Sequence, residues 1–267
     1  MRVDPERGGA RGFSLVEVLL AAAILVIVLS AVYSVMSSGW NTYVSGEAKA
    51  DMQQNARLAM ETVEADLRMI GYGYPTDPAL VNPLRKITAA SAASITFWAD
   101  LNNVSTVLAA DAAVGDATIS VSKGGGFAGG DTLWLINGGL FESRTVSSKN
   151  TGSTPHTITL STTTGRAYPR GTLVGRPKSI IYAHDAAAGT ITRDEGEGAG
   201  PQTLVDNVTA FALQYFDGNN APIANPAANL GGIRRISVNF TVRSQKATPP
   251  SGTQTYRLVS DVRPRNL

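Results

Sequence analysis

No charged residue occurs between Glu17 and Glu47, and residues 18–36 are apolar apart from Ser30 and Ser34. As a helix, residues 13–36 would reach about 36 Å at ~1.5 Å per residue. The hydrocarbon core of a bilayer is about 30 Å thick, so the segment predicts a transmembrane helix. A buried core helix is the competing reading, but core helices seldom run this far without a charge. The flanking residues Arg2, Arg7 and Arg11 outnumber Asp4 and Glu6, which favours a cytoplasmic N-terminus. A cleavable secretory signal would need a shorter apolar region and a small-residue site after it. Ser37-Ser38-Gly39 is a poor one, and cutting there would split a continuing helical pattern.

Glu17 stands near the start of the apolar run. A carboxylate at that depth is costly unless it is paired, which makes it a functional candidate; snorkelling to the interface is the other possibility. The letters around it, Arg11-Gly12-Phe13-Ser14-Leu15-Val16-Glu17-Val18-Leu19-Leu20, resemble the processing site of type IV prepilins and type II secretion pseudopilins. The family pattern is a basic leader, a Gly at the cleavage point, an aromatic after it and a Glu five residues on. The resemblance implies removal of residues 1–12 by a prepilin peptidase cutting after Gly12, N-methylation of Phe13, and a pair between Glu17 and the N-terminal amine of a neighbouring subunit during assembly. Gly12 suits the cut because a residue without Cβ lets a protease approach the backbone.

Past Gly46 the pattern becomes amphipathic. Val44, Ala48, Met52, Ala56, Ala59, Val63, Leu67 and Ile70 recur at steps of three and four, while Glu47, Lys49, Asp51, Arg57, Glu61, Glu64, Asp66 and Arg68 supply charge. That is one apolar stripe on a helix. Gly71 and Gly73, then Pro75 and Pro78, signal its end. One helix over 13–71 is expected, with 13–36 in the membrane. From residue 71 onward lie 22 of the 27 glycines, with 12 of the 13 prolines, so no second long helix is expected there. Ile236, Val238, Phe240 and Val242 alternate with polar residues, as do Phe211, Leu213 and Tyr215, Ile119 and Val121, and Ile158 and Leu160. This predicts antiparallel strands. Ile180, Ile181 and Tyr182 suggest a more fully buried strand. The expected fold is therefore α+β and pilin-like: the long helix packed on a β-rich domain over 72–267. Residues 103–177 suggest a β module of their own, and 178–267 with 84–100 a sheet against the helix. A single continuous sheet is the other possibility.

Asp206-Asn207-Val208 and Phe211-Ala212-Leu213-Gln214-Tyr215-Phe216-Asp217-Gly218 resemble PilW-type minor pilins and J-type minor pseudopilins. Ile233-Arg234-Arg235-Ile236-Ser237-Val238 resembles the strand that follows there, and the residues from Val262 to Leu267 their tails. What this implies is a minor subunit that co-assembles with other minor and major pilins to initiate or cap a type IV pilus serving motility, adhesion or DNA uptake. Its further partners would be prepilin peptidase, the inner-membrane assembly platform and membrane lipid. It would sit in the inner membrane with a periplasmic globular domain until it enters a pilus or pseudopilus. The alternatives are a J-type minor pseudopilin of type II secretion or a single-span membrane-anchored β-domain protein.

Several chemistries find little material. With no cysteine, thiolate sites and disulfides are excluded. Net charge is +2 with no basic run, so direct nucleic-acid binding is not expected. Gly124-Gly125-Gly126-Phe127-Ala128-Gly129 matches a dinucleotide fingerprint in letters, but residues 132–137 after it read as a strand rather than the required helix. Asp194, Glu195 and Glu197 cluster in a glycine-rich loop without calcium-loop spacing. His156 and His184 lack sequence-local partners, and Trp98 and Trp134 suit a core better than an adhesive surface. No catalytic residue, metal or cofactor is expected, and the chain does not read as an enzyme.

Overall fold

The computed structural model describes residues 14–75, 85–196, 198–244 and 252–267. Its first element is a single helix, α1 (Leu15–Arg68), of 54 residues, about 81 Å long. It runs unbroken through Gly39 and Gly46. Its apolar first half is exposed along its length, while Met52, Ala56, Ala59, Met60, Val63, Leu67 and, just past its end, Ile70 are buried. Val44 and Ala48 are half-buried at the upper end of the same stripe. The helix stops where Gly71 takes φ +79°, a conformation that costs a residue with a Cβ. The Gly71 N–H then donates to the Trp98 carbonyl at 2.7 Å.

Fourteen strands divide among three antiparallel sheets among the described residues. The first runs β1 (Ile87–Ala90), β2 (Ser94–Ala99), β9 (Lys178–Asp185), β10 (Thr190–Asp194) and β11 (Gln202–Val205). The second holds β12 (Val208–Phe216), β13 (Arg235–Arg243) and β14 (Thr255–Val262). Both bury side chains against the stripe of α1 in one core that includes Phe97, Tyr182, Leu213, Val238 and Phe240. Where the sequence pattern suggests one sheet against the helix over 178–267, there are thus two. Backbone and side chain stitch them together: Leu213 N–H donates to the Ala92 carbonyl at 2.8 Å, and the Tyr215 hydroxyl to the Ser91 carbonyl at 2.9 Å. In β9, Ile180 and Tyr182 are buried but Ile181 is only half-buried, because alternation places it on the opposite face of the sheet.

The third sheet lies entirely between β2 and β9. Its order is β3 (Ser105–Val107), β8 (Leu173–Gly175), β5 (Thr132–Asn137), β6 (Leu140–Asn150), β7 (His156–Leu160) and β4 (Thr118–Val121). Its two ends meet. Leu108 bridges Val121, and Ala109 N–H and Ser122 N–H donate to the Ser120 and Val107 carbonyls, each at 2.9 Å. The sheet is therefore closed, and closure removes free edges. Its interior is a second core with Leu108, Phe127, Leu133, Leu135, Tyr168 and Val174, separate from the first. Because Ala99 of β2 pairs with Lys178 of β9, the whole barrel is an elaborated connection between two neighbouring strands. Its two ends stay together where Arg176 N–H donates to the Val104 carbonyl at 3.1 Å.

The barrel abuts the helix end through rings. Tyr74 stacks on Trp98 with centroids 5.2 Å apart, and Trp134 of β5 meets Tyr74 edge-on at 5.1 Å. Such contacts add about 0.5–1.5 kcal/mol each beyond burial. Trp98 and Trp134 therefore form a joint between parts of the fold rather than an adhesive surface.

Candidate functional site

The N-terminal helix is the candidate site, and its chemistry begins at its first turn. Ser14 precedes it in an extended conformation (φ −74°, ψ 143°) without a side-chain cap. The Glu17 and Val18 N–H groups donate to the Ser14 carbonyl at 3.0 and 3.2 Å. This places Glu17 in the first turn, where the helix dipole favours a carboxylate. Glu17 is exposed, and its carboxylate makes no hydrogen bond or ion pair among the described residues. Gly12 and Phe13 lie outside the described residues.

Beyond Glu17 the helix presents apolar side chains on all sides. Ile24, Leu25, Val26, Ile27, Val28 and Leu29 are each more than half exposed. None of the apolar window is buried inside the protein, so this is not a core helix. It is long and apolar enough to cross a membrane. The one hydroxyl at its middle, Ser30, donates to the Val26 carbonyl at 2.7 Å. Back-bonding of this kind keeps a hydroxyl satisfied where water is absent.

The packed half carries a feature that residue type alone hid. Asp66, which the charge pattern assigns to the polar face, is buried. The Tyr182 hydroxyl donates to its Oδ2 at 2.6 Å and Arg193 Nε at 2.7 Å, with Arg193 Nε also 3.0 Å from the Tyr182 oxygen. Burial, and then the Asp66 charge, push the Tyr182 phenol well above its ordinary range, so it remains a donor. Arg193 also pairs with Glu195, whose other oxygen lies 3.8 Å from Lys178 Nζ. The network locks α1 onto β9 and β10. The available signal was position: Asp66 falls three residues after Val63 and four before Ile70, inside the apolar stripe.

The remaining candidates resolve into local structure. Glu195 is engaged by cations, the Asp194 Oδ1 accepts the Gly196 N–H at 2.8 Å, and Glu197 lies outside the described residues. No cluster of three or more metal-ligating side chains occurs among the described residues. The glycine run turns into the barrel: Phe127 is buried in its core, and the Gly124 N–H donates to His156 Nδ1 at 2.8 Å. His184 sits beside Phe211, ring centroids 5.6 Å apart.

The end of the helix is held by the last residues of the chain. Arg265 N–H donates to the Arg68 carbonyl and Asn266 Nδ2 to the Ile70 carbonyl, both at 3.4 Å. Lys86 Nζ donates to the Asn266 carbonyl. Carbonyls left over at a helix C-terminus are thereby satisfied.

Residues 7–33 match the family model described as the prokaryotic N-terminal methylation motif. The pilin-like protein PilA3 of Thermus thermophilus is 42% identical over 64 residues, which is 24% of this chain and 28% of that relative. The match thus spans about a quarter of the curated relative's length. A solved type IV-like pilin from Thermus thermophilus aligns over 80% of this chain and 97% of its own, at 11% identity and a TM-score of 0.35. Residues 7–33 thus carry the prokaryotic N-terminal methylation motif, at the head of a long apolar helix that runs into an antiparallel β body.

Proposed function

We propose that the protein is a PilW-like minor pilin of a type IV pilus system. It is held in the inner membrane by α1, with the N-terminus cytoplasmic and the β body periplasmic, and joins other pilins to initiate or cap a filament. Prepilin peptidase cuts after Gly12, and Phe13 becomes the N-methylated N-terminus. Glu17 pairs with the N-terminal amine of a neighbouring subunit. The role is structural, and the β body selects the neighbour.

The observation that carries this reading is Glu17 itself: an exposed carboxylate at the start of an uncovered apolar helix, with no partner of its own among the described residues. Inside lipid or a helix bundle an unpaired charge costs several kcal/mol, and a partner of opposite sign offsets much of that. The pair therefore fixes register between subunits more than it adds stability. The test is Glu17→Ala in the native host. Membrane insertion should be retained while recovery in sheared filaments falls at least about tenfold, the equivalent of ~1.4 kcal/mol. Incorporation at the wild-type level would refute the role of Glu17.

A further inference from the structure

On α1 the apolar span does not fade evenly into water. Tyr33, Met36, Trp40 and Tyr43 follow at steps of three, four and three, so they form one stripe within an arc of about 80° at ~100° per residue. All four stand clear of the protein, at 75, 73, 67 and 63% exposure. The Trp40 and Tyr43 rings contact each other at 6.1 Å. At the same level the helix turns polar on another face, where Ser34, Ser38, Asn41 and Ser45 line a shallow recess that ends at Gln254 of the β body. That polar row is collinear with the stripe that packs on the sheets farther along. Tyr33 borders that recess, while Met36, Trp40 and Tyr43 lie on the other side of the helix, outside it.

Depth arithmetic identifies what meets the rings. Trp40 lies 23 residues past Glu17, about 35 Å along the axis, and Tyr33 and Tyr43 lie about 24 and 39 Å along it. The rings therefore straddle the level at which about 30 Å of hydrocarbon ends, if Glu17 marks the opposite boundary. Tyr and Trp favour that boundary because one edge of each ring is polar while its body is apolar.

We infer that the Tyr33–Trp40–Tyr43 stripe is a membrane-interface anchor, seated in the headgroup boundary of the leaflet nearer the β body. It sets how deeply α1 sits and which way it is rotated before assembly. The polar row is thereby turned toward the side on which the β body hangs, and Glu17 is held at the far boundary. The inference rests on residues 13–36 spanning the bilayer, as part of the function proposed above.

The test uses the full-length protein reconstituted into phosphatidylcholine–phosphatidylglycerol vesicles. The phosphatidylcholine is brominated either near the headgroup end or near the methyl end of its acyl chains. Of the three tryptophans, Trp98 and Trp134 sit by Gly71 at the distal end of the helix. That is about 46 Å along the axis from Trp40, so only Trp40 meets bromine. The expected result is that the shallow probe quenches Trp40 emission at least about twice as strongly as the deep probe. Trp40→Leu should remove that quenching and keep the remaining emission. Stronger quenching by the deep probe would overturn the anchor, as would no quenching of protein that floats with the vesicles. Protein that fails to float would overturn the membrane-spanning reading and the anchor with it, and flotation tells that failure apart from the others.

Discussion

The two halves of α1 share one backbone and solve opposite problems. Leu25 is 57% exposed and Leu67 is 1% exposed, although both are leucines on a continuous helix. The first half is apolar all round and finds no protein to cover it. The second confines its apolar groups to a stripe that two sheets cover. A helix apolar on every face needs lipid or other helices, whereas a striped helix needs one packed neighbour. The charge that appears between residues 47 and 68 confines the apolar side chains there to one stripe, and this separates the uncovered half of the helix from the half packed on the sheets.

The contrast is broken most forcefully by matched truncations. Leu67→Ala should lower the stability of the β body by about 2–5 kcal/mol, because it empties a site that packing cannot refill. Leu25→Ala should change it by less than about 0.5 kcal/mol. Denaturant unfolding in detergent, followed by near-ultraviolet circular dichroism, would compare the two. Equal losses would contradict the division of the helix.

Asp66→Ala comes next, with an expected loss of about 2 kcal/mol in the same assay, since it strands the Tyr182 hydroxyl and one side of Arg193. Arg193 keeps Glu195, which holds the loss below that of a fully orphaned charge. Asp66→Asn should recover part of it, because the amide oxygen still accepts a hydrogen bond.

Gly71→Ala should cost about 1–2 kcal/mol, from the left-handed backbone that ends the helix. An added Cβ would also meet the Lys86 side chain. A loss near zero would show that the turn relaxes.

Much of this was legible in the sequence. The span could be read because the absence of charge from 18 to 46 is visible residue by residue, and the stripe because Val63, Leu67 and Ile70 follow a local period. Asp66 was misplaced for the same reason: charge suggests a surface, and only Tyr182 and Arg193, more than a hundred residues away, reveal the partners. The closure of the barrel through Leu108 and Val121 was not legible, since register between distant strands leaves no mark in the alternation of either one. Nor was the division into two sheets, which depends on which of several alternating segments pair.

The smallest expected effect concerns pH at the joint between helix end and barrel. Burial raises the Asp100 carboxyl above its ordinary pKa, opposed by the Val104 N–H it accepts and by Arg176. A carboxyl with a raised folded-state pKa destabilises the fold when ionised, and the penalty is relieved as pH falls through that pKa. Asp100→Asn should therefore be slightly more stable than wild type at neutral pH, with the gap closing on acidification. A gap that widens on acidification would mean that the Arg176 charge outweighs burial.

The central claim is that the working protein begins at Phe13, after removal of residues 1–12. The most direct test is mass spectrometry of the N-terminal peptide of the protein purified from its native host. A peptide starting at N-methylated Phe13 is the expected result. An intact leader over residues 1–12 in cells with active prepilin peptidase would contradict it and leave a plain membrane-anchored β domain.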